Sequence, residues 1–177
     1  MPEALYAVGL ASFLVVGAFF VFVRRQGDCD TVLVVAKASD FTLTVEEGSA
    51  TVSCLVPLAN RGKQDGMVVE LLCEASHPGQ IHGRPRILPF ARPETTSEED
   101  GWYWRALLVR RGQVVALRMG ATITFHRREP GENALSLLGR LPGLVLRVHC
   151  KTIGRRSITW RLAELVFPWE KLTRKAA

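Results

Sequence analysis

The hydrophobic pattern of the chain begins with a long apolar run that has no polar face. Residues 4–23 contain no charged residue and no proline, and the pair Arg24-Arg25 follows directly. At a helical rise of about 1.5 Å per residue, a run of this length spans about 30 Å, which matches the hydrocarbon thickness of a bilayer. The pattern therefore predicts a membrane-spanning helix over 4–23, preceded by a short N-terminal tail at 1–3.

Two other interpretations of this run are less favoured. A cleaved signal peptide has a basic n-region and a small-residue cleavage site, whereas residues 1–3 hold no Lys or Arg and no Ala-x-Ala pattern follows the run. A core helix of a small domain normally has a polar face, and this run has none. We therefore expect a retained single-pass anchor.

Beyond a juxtamembrane linker at 24–30, apolar and polar residues alternate with a period of two, which is typical of half-buried strands. Seven to nine short strands with little helix predict a mainly β domain, an antiparallel β-sandwich over 31–168, followed by a basic tail at 169–177. The pattern allows one strand bent at Gly120 or two strands over 113–126. The predicted strands are 31–37, 41–45, 50–59, 67–75, 101–110, 113–119, 121–126, 144–151 and 158–162.

The alternation also predicts which side chains enter the core. The runs 50–59 and 67–75 are joined by a polar, glycine-containing turn, so they are expected to form a hairpin. A second hairpin is expected from 144–151 and 158–162. The side chains predicted to face inward are Val52, Cys54, Val56, Leu58, Met67, Val69, Leu71, Cys73, Leu144, Leu146, Val148, Cys150, Ile158, Trp160 and Leu162.

The charges beside the predicted helix indicate its orientation. The N-terminal side carries Glu3 and no basic residue, whereas Arg24 and Arg25 follow the run. Because Lys and Arg next to a span stay cytoplasmic, we expect the following domain on the cytoplasmic side of the cell membrane. The chain after residue 23 carries 23 basic and 16 acidic side chains, a net charge of +7. A domain of this charge is expected to be attracted to anionic lipids.

Basic residues recur in adjacent pairs at the predicted turns. Arg110-Arg111 and Arg155-Arg156 fall at one end of the sandwich if 113–126 is a continuous strand. Such an end is a candidate contact for anionic headgroups, at about 1 kcal/mol per basic residue, or else the arginines only solubilise turns. No recognition-helix pattern or basic aromatic platform is present, so nucleic acid is not expected as a partner. The candidate contact residues are Arg24, Arg25, Arg110, Arg111, Arg155 and Arg156.

The connection at 77–100 contains four prolines and no clear alternation. Long connections in compact domains are often functional, and the aromatic run Trp102-Tyr103-Trp104 follows it. Both tryptophans share one face of a strand and are expected in the core. The sequence also allows an edge strand within the connection, over 86–90. The residues predicted to form a protein-interaction loop are Arg86, Leu88, Phe90 and Tyr103.

The passage from Val45 to Cys54 (VEEGSATVSC) resembles the A′-to-B passage of immunoglobulin-like domains, in which an acidic-glycine turn precedes a strand that ends near a cysteine. Cys150, on a late strand, then stands for the F-strand cysteine of that family. The family places a tyrosine two residues before that cysteine, and this chain has Val148 there. The resemblance implies an immunoglobulin-like sandwich, a fold used chiefly for binding.

Patterns for catalysis and metal binding are sparse. The chain contains no His-x-His, His-Glu-x-x-His or Gly-x-Ser-x-Gly motif. The spacing of Cys73, His77 and His82 permits them to meet at a strand end, but structural zinc takes four ligands and no fourth is evident. The four cysteines have no Cys-x-x-Cys spacing, and their even number permits two disulfides if the domain is exported. We expect no cofactor, no metal and no enzymatic activity.

These observations favour a single-pass, non-catalytic binding or scaffold module, an accessory subunit of a membrane complex with a protein partner. Two alternatives stay open. One is an exported envelope or adhesion module of the same fold. The other is a metal-dependent hydrolase that uses His77 and His82.

Overall fold

A computed structural model of the chain describes residues 2–46, 48–76, 85–95, 106–125, 138, 143–168 and 172–175. Within these residues it contains a helix, a 3₁₀ turn and ten strands. The elements are α1 (Pro2–Arg25), the 3₁₀ turn (Val35–Lys37), β1 (Thr31–Leu33), β2 (Ser39–Glu46), β3 (Ser49–Asn60), β4 (Gly66–Ser76), β5 (Arg86–Pro93), β6 (Leu107–Val109), β7 (Val114–Thr124), β8 (Leu144–Ile153), β9 (Ile158–Phe167) and β10 (Thr173–Lys175).

The strands form two sheets with the core between them. The first sheet has the order β10-β2-β3-β7-β5, with β1 also paired to β3, and the second sheet has the order β6-β4-β8-β9. The strand β10 runs parallel to β2, whereas the other described pairs are antiparallel. The orders β2-β3-β7-β5 and β4-β8-β9 reproduce the A-B-E-D and C-F-G sheets of an immunoglobulin sandwich. The predicted mainly β, immunoglobulin-like sandwich is therefore confirmed.

Alternate positions of the central strands fill the core. The predicted inward faces of 50–59 and 144–151 are confirmed, because their apolar residues are buried together with those of β7. Burial of these side chains removes apolar area from water, which stabilises the domain. The buried apolar residues of β3, β7 and β8 are Ala50, Val52, Cys54, Val56, Leu58, Leu117, Met119, Ala121, Ile123, Leu144, Leu146, Val148 and Cys150.

The predicted hairpin of 50–59 with 67–75 is wrong. The strand β3 belongs to the first sheet and β4 to the second, so the turn between them crosses from one sheet to the other. Buried Asn60 organises this crossing, because its amide donates hydrogen bonds to the carbonyl oxygens of Gln64 (2.8 Å) and Val109 (3.0 Å). Its Oδ1 accepts from two backbone N–H groups. The backbone of the turn is thereby satisfied without a return to the same sheet.

Residues 31–37 are predicted as one strand, but β1 ends at Leu33 and a 3₁₀ turn follows. The cause is Pro57 of β3, which would oppose Val34 if the ladder continued. The Val34 N–H donates to the Pro57 oxygen at 2.8 Å, but Pro57 has no N–H to offer the Val34 carbonyl. The Lys37 N–H supplies that hydrogen bond at 2.9 Å and closes the turn.

The predicted inward row of β4 is only partly correct. Its register with β8 shifts between Val68 and Glu70, which makes Val69 the extra residue of a β-bulge. Before the bulge Val68 is buried and Met67 is exposed, whereas after it Leu71 is buried as predicted. Because a one-residue shift exchanges the two faces of a strand, the prediction for Met67 is wrong.

Two alternatives left by the sequence are decided by β5 and β7. The strand β5 occupies the edge of the first sheet beside β7, so the connection at 77–100 contains an edge strand. Its prolines suit an edge position, where one side of the strand has no ladder to complete. The strand β7 runs through Gly120 without a break.

The helix α1 includes the whole predicted span of 4–23. Its Tyr6–Arg25 portion is long and apolar enough to cross a membrane, and none of that window is buried against the rest of the structure. Large apolar side chains along this portion are exposed, among them Tyr6, Leu10, Phe13, Phe19, Phe20 and Phe22. The described part of the sandwich therefore does not use this helix as a core element.

Candidate functional site

The segment that follows the helix is fixed against one end of the sandwich. The Asp28 carboxylate accepts hydrogen bonds from the N–H groups of Arg155 (2.8 Å) and Arg156 (3.2 Å) in the turn between β8 and β9. It also accepts from the Ser157 hydroxyl and from the Cys29 N–H, both at 2.8 Å. An aspartate that accepts successive donors of a turn fixes that turn. The linker and the β8–β9 turn therefore hold each other in place.

Backbone contacts extend this attachment along the linker. The Lys63 N–H donates to the Asp28 carbonyl at 3.0 Å, and the Arg61 N–H donates to the Asp30 carbonyl at 2.8 Å. The Asp30 carboxylate also forms an ion pair with Arg161 of β9. We call residues 26–30 and these contacts the linker clamp. Because it joins the linker to the β3–β4 turn and to the β8–β9 turn, the end of the helix is attached to the domain at two points.

Three glycines make room for the linker clamp. A Cβ at Gly62 would overlap the backbone of residues 28–30, and one at Gly154 would overlap the Asp28 carboxylate. A Cβ at Gly66 would come within 2.7 Å of the Cys29 Cβ. Glycine is needed at these points because two stretches of chain approach each other closely. In the sequence the same glycines look like ordinary turn residues.

The surroundings of the Asp28 carboxyl stabilise its ionised form. Burial raises its pKa, but hydrogen bonds from Ser157 and from the N–H groups of Cys29, Arg155 and Arg156 outweigh burial, so the pKa lies below the ordinary value. The clamp is thus built on a carboxylate whose charged form the turn stabilises.

The clamped end of the sandwich carries an excess of positive charge. The Arg111 N–H donates to the Asp65 carboxylate at 2.7 Å, which joins two turns, and the Arg156 guanidinium reaches the Arg24 carbonyl at 3.5 Å. The structure therefore brings the six predicted contact arginines to one end, with two basic residues that the sequence prediction missed. We call this set the basic end; it comprises Arg24, Arg25, Arg61, Lys63, Arg110, Arg111, Arg155 and Arg156.

The outer face of the second sheet departs most from the sequence prediction. Ile158, Trp160 and Leu162 are predicted to face inward, but they are 63%, 52% and 58% exposed. The buried positions of β9 are Leu165 and Phe167, which lie opposite inward positions of β8. Both faces of this strand carry apolar residues, so alternation alone selects the wrong phase. The prediction is wrong at all three positions.

Large apolar side chains lie exposed across all four strands of this face. Each of them is 39–63% exposed, and exposed apolar patches larger than a few hundred Å² mark interaction sites on monomers. Ile153 and Ile158 flank the β8–β9 turn, and the ladder places Met67 and Leu108 beside them. We call this set the apolar face; it comprises Met67, Leu72, Leu108, Ile153, Ile158, Trp160, Leu162 and Val166.

Two charged rows cross the apolar face. In one, Glu70 of β4 lies opposite Lys151 of β8 in adjacent ladder positions, with 3.7 Å between carboxylate and Nζ. In the other, Glu74 of β4 lies opposite Arg147 of β8, whose Nε is 2.8 Å from the Glu164 carboxylate of β9. The outer side of β4 is therefore acidic and that of β8 is basic.

Small polar residues line one part of the outer face of the first sheet, where they are hydrogen-bonded to one another. The hydroxyls of Thr42 and Ser53 lie 2.8 Å apart and both residues are buried. The hydroxyls of Thr51 and Thr122 lie 3.1 Å apart across the β3–β7 ladder. We call this set the threonine face; it comprises Thr42, Thr44, Thr51, Ser53, Gly120 and Thr122.

Three of the four residues predicted for an interaction loop lie on β5, which is a strand. Arg86 is exposed, and Leu88 is half-buried. Phe90 lies opposite Gly120, and its ring covers that glycine so closely that a Cβ there would come within 2.8 Å of the ring. Tyr103 lies outside the described residues. An interaction role for these residues stays a prediction.

The four cysteines are free thiols. Cys54 lies on β3 and Cys150 on β8, the strands in the B and F positions of the sandwich. Burial raises the pKa of Cys54 and of Cys73 to about 12, and it also raises the pKa of Cys29 and of Cys150. Thiols held protonated in this way are poor nucleophiles and poor metal ligands.

The described residues offer little for catalysis. Among them, no group of three or more His, Cys, Asp or Glu is placed to hold a metal ion. His77 and His82 lie outside the described residues, so the metal-hydrolase alternative stays a hypothesis. An open depression of about 340 Å³ lies beside Pro57, Asn60 and Val114, and its described lining contains no carboxylate, histidine or cysteine.

Comparison with known proteins identifies no relative in sequence. No protein-family model matches the chain, and no curated protein matches it. Among solved structures, it is similar to the GAE domain of yeast GGA1, at 9% identity and a TM-score of 0.39, over 78% of this chain and 99% of that one. It is similar to the GAE domain of GGA2p from Saccharomyces cerevisiae, at 10% identity and a TM-score of 0.37, over 78% and 98%. Similarities at this level establish neither kinship nor function.

Proposed function

We propose that this protein is a single-pass membrane protein whose immunoglobulin-like sandwich acts as a non-catalytic binding or scaffold module in a membrane complex. The linker clamp is the observation that carries the proposal. It joins an apolar, uncovered helix to one end of the sandwich through fixed contacts at Asp28 and Asp30. Because the linker attaches the domain to the end of the helix, the apolar face lies at a fixed distance from the membrane.

The basic end supports the same arrangement. It surrounds the C-terminal end of the helix, which is where the domain would meet the headgroups. Anionic inner-leaflet lipids attract basic residues by about 1 kcal/mol each near the surface. Of the carboxylates at this end, Asp28 and Asp65 accept hydrogen bonds from turns and Asp30 pairs with Arg161. The arginines and Lys63 therefore dominate the charge, which favours the cytoplasmic side.

Fractionation and topology measurements on the full chain test this proposal. We expect the protein to stay in the membrane pellet after alkaline carbonate washing. We expect Ala176→Cys, with the native cysteines replaced, to react with a membrane-impermeant thiol reagent only after permeabilisation. Release by carbonate would contradict the anchor. Labelling in intact cells would contradict the cytoplasmic side and favour the exported envelope module.

The position of the basic end is tested with a nitroxide attached at Lys63→Cys. In liposomes that contain anionic lipid, we expect this label to lie at headgroup depth. The matched control is Ser76→Cys, at the far end of β4, the strand that follows the turn of Lys63. Its label should stay in water. The native cysteines are replaced in both proteins, because Cys29 and Cys73 are only partly buried and would compete for the label. Equal depth for the two labels would contradict the proposed orientation.

A further inference from the structure

We infer that the apolar face is an interface between two copies of this chain, packed face to face on the same membrane. The inference rests on the proposed membrane anchor. The size of the face supports it, since eight large apolar side chains on four strands, each 39–63% exposed, make a surface on the order of the roughly 800 Å² that a standard interface takes from each partner. An exposed patch of this size is characteristic of an interaction site.

The anchor restricts the symmetry of such a pair. Two identical chains most often associate about a two-fold axis, and two chains held in one membrane share an axis along the membrane normal. The antiparallel strands β8 and β9 are joined at the basic end, so both lie with that end towards the membrane in each copy. A two-fold axis parallel to the strands then places the outer face of the second sheet in one copy against the same face in the other copy. Antiparallel pairing of the two β9 edges would instead place the basic ends on opposite sides.

The charges of the face fit this symmetry. Rotation about an axis between β4 and β8 places β4 of each copy over β8 of the other. The acidic column of one copy, Glu70 and Glu74, then faces the basic column of the other, Lys151 and Arg147. Each contact occurs twice because the axis repeats it. Columns of like charge would repel each other, whereas columns of opposite charge attract each other and fix the register of the interface.

The apolar residues meet in the same register. In the row beside the basic end, Ile153 of one copy covers Met67 of the other, and Ile158 covers Leu108. Facing sheets pack about 10 Å apart and within about 30° of parallel, so side chains of this size fill the gap. The threonine face offers neither the exposed area nor two columns of opposite charge, and it is not part of the inferred interface.

Association is tested by co-expressing two full-length copies with different affinity tags and capturing one tag from a mild-detergent extract of membranes. We expect the second copy to be captured. The double variant Ile158→Lys with Leu162→Lys should reduce its capture at least about tenfold, as expected when central apolar contacts of an interface are lost. The matched control is Thr44→Lys on the threonine face, which should leave capture unchanged. Failure to capture a wild-type second copy would overturn the inference.

A charge exchange tests the register. Copies with Glu70→Lys and Glu74→Lys carry two basic columns, and copies with Arg147→Glu and Lys151→Glu carry two acidic columns. We expect each variant alone to self-associate at least about tenfold more weakly than wild type, and the two variants together to recover association. Recovery requires folded chains, so it excludes misfolding as the cause. Unchanged self-association of either variant would overturn the inferred register.

The test separates this inference from the proposed anchor. Wild-type copies that stay in the carbonate-washed membrane but do not capture each other would overturn the pair and leave the anchor standing. Capture of another protein on the apolar face without a second copy would equally overturn it. Release from the membrane would contradict the anchor, and with it the symmetry argument.

Discussion

The threonine face and the apolar face belong to one sandwich, yet their side chains are exposed to solvent to different extents. On the threonine face, hydroxyl pairs such as Thr42 with Ser53 satisfy each other, and the Phe90 ring closes the gap over Gly120. On the apolar face, Trp160 and Leu162 stand exposed between charged rows. Thr42, Ser53 and Gly120 are buried, whereas the apolar face leaves large apolar side chains in contact with water.

The comparison shows that the inner face of a sheet, which is buried in the core, does not determine the function of its outer face. Both sheets contribute residues such as Val52 and Val148 to the same core. In the second sheet, the outer positions also carry large apolar side chains, which lie outside this core. Exposed apolar residues grouped in this way are characteristic of an interaction site.

The largest expected effect lies on the threonine face. Gly120→Ala should lower the free energy of unfolding by about 3 kcal/mol, because a Cβ there would overlap the Val52 carbonyl and press on the Phe90 ring. Chemical unfolding of the full chain in detergent measures this loss. The control is Gly143→Ala, where a Cβ meets open space. Equal stability of the two variants would show that the threonine face is not closely packed.

A second pair of variants compares the two sides of β9. Leu165→Ala should lower the free energy of unfolding by about 3 kcal/mol, since it leaves a cavity in the core. Leu162→Ala should cost about 1 kcal/mol at high protein concentration and less on dilution, because mass action links association to stability. Unfolding curves at two protein concentrations separate these effects. A cost for Leu162→Ala that is large and independent of concentration would indicate a core position.

The linker clamp should give a smaller loss. Asp28→Asn should lower the free energy of unfolding by about 1 kcal/mol, because hydrogen bonds from the β8–β9 turn weaken when the acceptor loses its charge. Asp40→Asn is the control, since its contact with Arg118 is exposed. Thermal unfolding of both variants in detergent measures the difference. Equal unfolding temperatures would contradict a clamp held by Asp28.

The pH dependence of this contribution has a defined sign. The folded-state pKa of Asp28 lies below its ordinary value of 3.8. Its stabilising contribution is therefore complete above the ordinary value and is lost as the pH falls through the folded-state value. Wild type should lose stability relative to Asp28→Asn over this acidic window and not above it. A constant difference between the two proteins at all pH values would contradict the assignment.

The smallest effect is expected for the thiols between the two faces. Cys54 and Cys73, whose pKa burial raises to about 12, should not react with iodoacetamide at pH 8 within the time that unfolded chain is fully alkylated. Peptide mapping by mass spectrometry measures this. Rapid alkylation of Cys54 would show that the sandwich opens between its sheets.

The sequence predicts the sandwich because most of its strands bury one face only. The alternation in β3 and β8 has a single apolar phase, and the burial of Val56 and Leu146 follows it. The alternation does not predict the buried face of β9, because both faces of this strand carry apolar residues and only the pairing with β8 selects one. It fails at Met67, because a bulge residue leaves no mark in a hydrophobic pattern.

The candidate site divides in the same way. The arginine pairs are visible in the sequence. The sequence places them at one end of the sandwich if β7 is a continuous strand. The linker clamp is not visible, since an aspartate followed by a cysteine shows no sign of a contact more than a hundred residues away at Ser157. The apolar face is not visible either, because the alternation in β9 is equally compatible with large apolar residues such as Trp160 entering the core.

Hydroxyl-radical footprinting of the full chain in its own membrane tests most directly whether the two faces differ as described. The reagent modifies Trp, Met, Phe and Leu side chains in proportion to their contact with water. We expect Trp160, Met67 and Leu162 to be protected in wild type and to become reactive in a variant that lacks association, Glu70→Lys with Glu74→Lys, while Phe90 is unchanged. Wild-type Trp160 that reacts as its 52% exposure in the single chain predicts would contradict a covered apolar face.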